Sequence, residues 1–191
     1  LTPPLKVFDV GANNGGFPLL LKSLGYELGK TVCVEMNPNT FVRLRFNVES
    51  NLRDGCVFYN AAVCGVARDL ELELGTGGTG DTIYQVGEPR KGGRAYTIRG
   101  MTFDDIYAGA FGDGLVDVCK IDIEGAEYEV FAAGHNASVA RCRYVVIEIH
   151  EGEGRDPERV VRTLQALGFV ALSGNDGARE SVYGFKNTAL V

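Results

Sequence analysis

The sequence predicts an α/β fold: a mostly parallel, seven-stranded sheet with helices on both faces and a C-terminal antiparallel hairpin. Three observations carry this expectation. Short apolar runs recur between segments of helical character, which is the signature of parallel strands joined by crossover helices. Several runs are apolar almost throughout, as strands buried on both faces must be. The first run leads directly into a glycine-rich turn, "VFDVGANNGG" from Val7 to Gly16, and a strand, turn and helix in that order point backbone N–H groups at a ligand.

The elements follow in order. Lys6–Val10 is the first strand and Gly16–Leu24 the first helix. Thr31–Glu35 is the second strand, followed by a helix over Pro38–Ser50, with Asn37 as its cap and proline at the first helical position. Cys56–Val63 is the third strand. Between Arg68 and Gly100 the pattern changes: "RDLELEL" and "RAYTIR" alternate polar and apolar residues, so they read as half-exposed antiparallel strands. The Gly/Thr-rich "GTGGTGDT" (Gly75–Thr82) follows the first of them, and residues 68–100 are expected to form an insertion over the sheet edge or the site. Leu115–Ile123 and Arg143–His150 are the fourth and fifth strands, with helices expected over Glu124–Ala133 and Pro157–Leu167. "FVALSG" and "VYGFK" close the sheet as a hairpin through the turn "NDG". No repeat or linker interrupts the chain, so residues 1–191 are expected to form one domain.

Composition bounds the function. Hydrophobic residues make up 45% of the chain and charged ones 23%, ordinary values for a globular protein. No apolar run approaches the ~20 residues of a membrane span, and without a leader pattern the chain is expected to be cytoplasmic. The five cysteines are odd in number and form no C-x-x-C pair, so they are expected to be reduced and structural, behaving as small hydrophobes. Two histidines are too few for an ordinary zinc site. A net charge of −6 argues against non-specific nucleic-acid binding. The local basic stretch Arg90, Lys91, Arg94 and Arg99 is either a solvated face or a loop that meets an anionic substrate.

The turn itself narrows the ligand. A dinucleotide fingerprint needs a second glycine where this chain has Asn13, within Gly11-Ala12-Asn13-Asn14-Gly15-Gly16. An Asn side chain there would crowd a pyrophosphate, whereas its amide can bond a carboxylate or a ribose. Asp9, just before the turn, adds a carboxylate suited to an ammonium and a sulfonium. S-adenosylmethionine carries both, and S-adenosylhomocysteine would be its product. Glu35, at the end of the second strand, can accept hydrogen bonds from both ribose hydroxyls. Met36 could lie over the adenine, and Asn60 and Ala61 could form an edge that receives the adenine amino group. Gly11, Asn13, Asn14 and Gly15 complete the expected cofactor set.

With these residues in place, the chain resembles the FkbM family of S-adenosylmethionine-dependent methyltransferases. The matching phrases are "VFDVGANNGG", "VEMNPNTFVRLRFN", "NAAVCG", "MTFDDI", "VDVCKIDIEGAEYEVFAAG" and "VVIEIH", in order from Val7 to His150. The resemblance implies a Rossmann-like class I methyltransferase fold and methyl transfer, usually to a hydroxyl oxygen of a small molecule or sugar. Met36 departs from the family, which more often has proline there, and Gly75–Lys91 carries no family signature.

Strand alternation in "CKIDIEGAE" puts Lys120, Asp122 and Glu124 on one side. Asp122 and Glu124 then border the ligand site beyond the strand ends, and Glu124 is expected to open a helix, where the dipole favours a carboxylate. Glu148 and His150 occupy the matching end of the next strand. Oxygen methylation needs a hydroxyl held in line with the methyl group and a group that takes its proton. His150, with an ordinary value near neutrality, is the expected base. Asp122 or Glu124 would orient the hydroxyl or the donor's ammonium, and Asp122 counts in both the catalytic and the cofactor set. Lys120 is expected to pair with a carboxylate, and His135 to lie on the surface. Asp122, Glu148 and nearby oxygens would also suit magnesium, but donor binding explains them equally, and no metal is assigned. The expected partner is a small-molecule, glycan or lipid head-group acceptor, not nucleic acid; the oligomeric state stays open. A binding module that keeps the fold without catalysis, and a dinucleotide oxidoreductase that Asn13 disfavours, remain as alternatives.

Overall fold

A computed structural model describes residues 1–52, 54–75, 81–84, 93–132, 134–173 and 181–191. The strands are β1 (Leu5–Val10), β2 (Leu28–Val34), β3 (Cys56–Tyr59), β4 (Ala62–Val63), β5 (Arg68–Leu74), β6 (Arg94–Met101), β7 (Val116–Ile121), β8 (Cys142–Glu148), β9 (Phe169–Ser173) and β10 (Val182–Asn187). The helices are α1 (Gly16–Ser23), α2 (Pro38–Leu52), α3 (Phe103–Phe111), α4 (Glu127–Ala132) and α5 (Pro157–Ala166). Seven strands form one sheet in the order β3-β2-β1-β7-β8-β10-β9. The first five pair in parallel, and β10 runs antiparallel to both β8 and β9. The expected Rossmann-like sheet with its terminal antiparallel strands is therefore present. Chain order reverses between β1 and β7, and open α/β sheets bind ligands at such a reversal.

Period-two alternation splits the core between the faces of the sheet. On one face Phe8, Val10 and Val32 meet Phe103, Ile106 and Tyr107 of α3, with the Phe8 and Phe103 ring centroids 5.1 Å apart. On the other, Cys33 and Phe58 meet Leu44 and Val48 of α2. Cys33, Cys64, Cys119 and Cys142 are buried, and Cys56 is half-buried. Among the described residues no helix is long and apolar enough to cross a membrane.

Four expectations need correction or qualification. The run Cys56–Val63 is not one strand. β3 stops at Tyr59, whose carbonyl takes the Glu35 N–H. The Asn60 amide then bonds the Glu35 and Met36 carbonyls at 2.8 and 3.0 Å, drawing the chain out of the sheet. β4 instead pairs in parallel with β6, in a separate three-stranded sheet ordered β4-β6-β5. Within that sheet the two alternating runs do pair antiparallel, burying Leu72, Leu74 and Ile98.

The second correction is α3, absent from the expected elements. Its cap was legible: the Thr102 hydroxyl accepts the Asp105 N–H at 3.1 Å, and Phe103, Ile106, Tyr107 and Ala110 have helical spacing. Third, Glu124 does not open a helix. Glu124 and Gly125 have φ of 53° and 97°, a left-handed pair that ends the strand segment in a turn, and α4 starts at Glu127. The dipole argument therefore does not apply to Glu124. Finally, the "NDG" turn, Arg90 and Lys91, and residues 76–80 of the Gly/Thr-rich stretch lie outside the described residues.

Candidate active site

The glycine turn is held by β2: Gly11 and Ala12 donate to the Val34 carbonyl at 3.0 and 2.8 Å. Gly11 has φ of 78°, and a Cβ there would lie 1.7 Å from the Asp122 carbonyl oxygen, so only glycine lets the ends of β1 and β7 approach this closely. Gly15 is tight for a different reason: its Cβ would meet Val48 of α2 at 2.5 Å. A cavity opens over the turn. Its wall includes Gly11, Asn13, Glu35, Met36, Ala61, Asp122 and Glu124 from the expected set, with Val34, Ala62, Val63, Ile123 and Ala126 supplying apolar surface.

Glu35 crosses the turn as a brace. Its carboxylate accepts the Asn13 N–H at 2.9 Å and the Asn37 N–H at 2.8 Å, and burial pushes it up to about 7. Two N–H donors leave further lone pairs on the same oxygens for ligand hydroxyls.

At the opposite end, Lys120 collects three acceptors. Its ammonium donates to the Gly11 carbonyl at 2.9 Å and lies 3.2 Å from Asp122 and 3.6 Å from Asp9. Burial works against this charge, but Asp9 and Asp122 outweigh it and hold the ammonium above its ordinary value. Asp9 is fully buried and does not line the cavity, so it reaches the site only through Lys120. Burial pushes its carboxyl up to about 6.

His150 sits among four carboxylates. Its Nδ1 is 3.1 Å from Glu127 Oε1. Its Nε2 lies 3.3 Å from Glu124, 3.9 Å from Asp122 and 3.9 Å from Glu148. The hydrogen bond to Glu127 raises the ring most; burial opposes it, and the Glu127, Glu124 and Glu148 charges add to it, so the ring reaches about 9. This corrects the near-neutral value expected from residue type: without ligand the imidazole is charged at neutral pH. Asp122, Glu148 and His150 bring one ligand-type atom each within 4.8 Å of one another. Donor and acceptor binding account for these three groups equally, and we assign them no metal.

His150 and the remaining expected residues lie outside the cavity wall. Asn14 is exposed, and its carbonyl accepts the Asn47 amide at 2.9 Å, tying the turn to α2. Asn60 is exposed and props the end of β2 through the two carbonyls already described. His135 is exposed, as expected. Besides the apolar wall, two cavity residues from the stretch after β5 escaped sequence reasoning. Asp81 is bonded to the Asn37 amide at 2.5 Å, and Ile83 lies beside it. Nearby, the Thr82 hydroxyl donates to the Glu124 carbonyl at 2.7 Å. These residues end or follow a Gly/Thr-rich stretch without hydrophobic periodicity, so no sequence signal marked them. Glu127 also escaped, although it stands in "KIDIEGAE", because nothing in that phrase shows that it will face His150.

The sequence matches the Methyltransferase FkbM domain over residues 9–171. No curated protein sequence matches it significantly. Among solved structures, the chain is similar to methyltransferase FkbM from Methylobacillus flagellatus KT, with 14% identity and a TM-score of 0.57. That match covers 95% of this chain and 43% of the other, so this chain spans less than half the length of that protein. It is also similar to magnesium protoporphyrin IX methyltransferase from Synechocystis PCC 6803, solved with bound S-adenosylmethionine: 13% identity, TM-score 0.55, covering 97% of this chain and 71% of that one. At these identities the structural likeness carries the fold, while the family match rests on the sequence. The chain belongs to the FkbM family of S-adenosylmethionine-dependent methyltransferases.

Proposed function

We propose that the protein transfers the methyl group of S-adenosylmethionine to a hydroxyl oxygen of a small molecule, sugar or lipid head group. One observation carries this reading. One cavity at the β1/β7 reversal is lined by Glu35 and by Asp122 and Glu124, and His150, behind that wall, brings Nε2 to 3.9 and 3.3 Å from the last two. Glu35 suits a ribose, and the Asp122–Glu124 pair backed by His150 suits a hydroxyl that must lose a proton. Glu35 would accept the ribose hydroxyls, Met36 and Ala61 would flank the adenine, and Gly11 and Asn13 would present backbone and amide to the amino-acid end. Asp122 lies between donor and acceptor, with its carboxylate set by Lys120 and, behind that, Asp9. The sulfonium is already a good leaving group, so the protein's work is alignment and proton uptake. His150 Nε2 takes the proton, and Glu124 steadies the ring or the hydroxyl.

Calorimetry with S-adenosylmethionine, S-adenosylhomocysteine and NAD tests the donor. The first two should bind and NAD should not; NAD binding alone would sink the reading. Donor binding without turnover on any hydroxylated acceptor would point to a binding module.

Two further results are expected of Glu35. Glu35→Ala should weaken donor binding by about 1–3 kcal/mol, the range for an unmade charged hydrogen bond, with the fold retained. An unchanged affinity in the folded variant would remove Glu35 from the ribose. Because burial holds its carboxyl at about 7, the ligand-free residue is protonated below that pH. Ribose hydroxyls donate to the ionised form, so donor affinity should fall as pH drops below about 7, with proton release on binding near pH 6. Calorimetric heats at that pH should then differ between buffers of different ionisation enthalpy. Equal heats would show that Glu35 does not titrate on binding.

A further inference from the structure

We propose that Glu127 is a positioning residue for methyl transfer: its carboxylate holds His150 by Nδ1 so that Nε2 faces the acceptor. This rests on the transfer reading above for its purpose, though not for its test. Glu127 begins α4 and is completely buried. One oxygen, Oε1, accepts both the Ile123 N–H and the His150 ring, each at 3.1 Å. The other, Oε2, has no hydrogen-bond partner among the described residues. A buried carboxylate with an unmet oxygen costs the fold free energy, and such a group calls for an explanation outside stability. The bond to the ring supplies one. A carboxylate only accepts, so with Glu127 in that form Nδ1 carries the proton, and in the neutral ring the Nε2 lone pair is free.

The position of Nε2 follows from the same bond. With Nδ1 pinned from α4, Nε2 is directed to the side where Asp122 and Glu124 leave β7 and Glu148 ends β8. Asp122, Glu124 and Ile123 all line the cavity. Glu148 is held in turn by the Ser181 hydroxyl at 3.1 Å, and Asp122 by Lys120. Among the described residues, each other carboxylate near the ring approaches Nε2, the side of the chemistry, and Glu127 alone grips the far nitrogen. It therefore sets both the tautomer and the resting charge, and its bond is the largest cause of the ring's elevation to about 9.

The test uses the imidazole signals of the whole chain by NMR, which needs no acceptor. Only two histidines are present, and His135 is exposed, so the two titrations separate readily. Glu127→Gln keeps an oxygen for the Ile123 N–H and the ring but removes the charge. The His150 midpoint should fall by about 1–3 pH units in this variant, the shift expected on losing an adjacent opposite charge, while His135 stays in place. With an active acceptor, the alkaline limb of kcat/KM should move by the same amount, and donor affinity should not. A midpoint left where it was would overturn the proposal. Should Glu127→Gln fail to fold, nitrogen shifts of the unsubstituted protein above pH 9 decide the matter. The neutral ring should carry its proton on Nδ1, and a proton on Nε2 would refute the proposal. Failure of the methyl-transfer reading would appear separately, as no turnover by a protein whose ring titrates as described.

Discussion

His150→Ala is expected to lower kcat by ~10²-fold or more, the usual span for general acid–base catalysis, while donor affinity stays nearly unchanged. The ring's partners among the described residues are Glu127, Glu124, Asp122 and Glu148, not Glu35 or the turn, and the proposed reading puts the acceptor beside them. The pH profile discriminates further. Because the ring is held at about 9, it is charged and unable to accept a proton over the neutral range. Activity should therefore climb as pH rises through about 9, and this limb should disappear in His150→Ala. Asp122→Asn should behave differently, lowering rate and donor affinity together, because the proposed reading puts that carboxylate between the two ligands and it also holds Lys120. The same ring predicts a stability signature. Its folded value lies above the ordinary 6.5, so its stabilising contribution is complete below about 6.5 and is lost as pH rises through about 9. The stability difference between the protein and His150→Ala, followed by urea unfolding, should shrink over that window. Full activity in His150→Ala, with the alkaline limb intact, would move the base to Glu124 or Asp122 or leave alignment alone.

The second large effect is structural. Gly11→Ala should destabilise the protein by about 2–6 kcal/mol, combining the cost of a left-handed non-glycine residue with steric overlap in packed structure. Gly11 has φ of 78°, and the added Cβ would lie 1.7 Å from a backbone oxygen, which cannot swing away as a side chain could. Gly25→Ala is the internal control. Its φ is 88°, but nothing lies within 4 Å of the added carbon, so only the backbone strain applies. The excess cost of Gly11→Ala over Gly25→Ala, read from denaturant midpoints, measures the close approach of β1 and β7. Donor binding should be lost with it, since the turn cannot close. Equal costs for the two variants would contradict this account of the turn.

The parts of the fold set by local pattern were legible in the sequence. The parallel strands, the glycine turn, the two capped helices and the terminal antiparallel strands follow from periodicity and from Asn37-Pro38 and Asp156-Pro157. Breaks decided by side chains reaching across the sheet were not. The Asn60 amide pulls the chain out of the third strand by bonding two carbonyls of β2, and no local pattern reveals that. The same holds at the site. Asp122, Glu124 and His150 lie close together because strand ends in a parallel sheet fall side by side. The ionisation of His150 depends on Glu127, Glu124 and Glu148, brought in from α4, the turn after β7 and the end of β8. Residue type alone suggests a neutral ring at neutral pH, and three-dimensional charge crowding reverses that. Helix α3 differs, since both its cap and its apolar spacing stand in "MTFDDIYAGA".

The most direct measurement is a crystal structure with S-adenosylhomocysteine bound. The account predicts both ribose hydroxyls on the Glu35 carboxylate, the amino-acid end over Gly11 and Asn13, and the sulfur directed at the space between Asp122 and His150 Nε2. A nucleoside seated away from Glu35, or a sulfur facing away from the His150 corner, would contradict it.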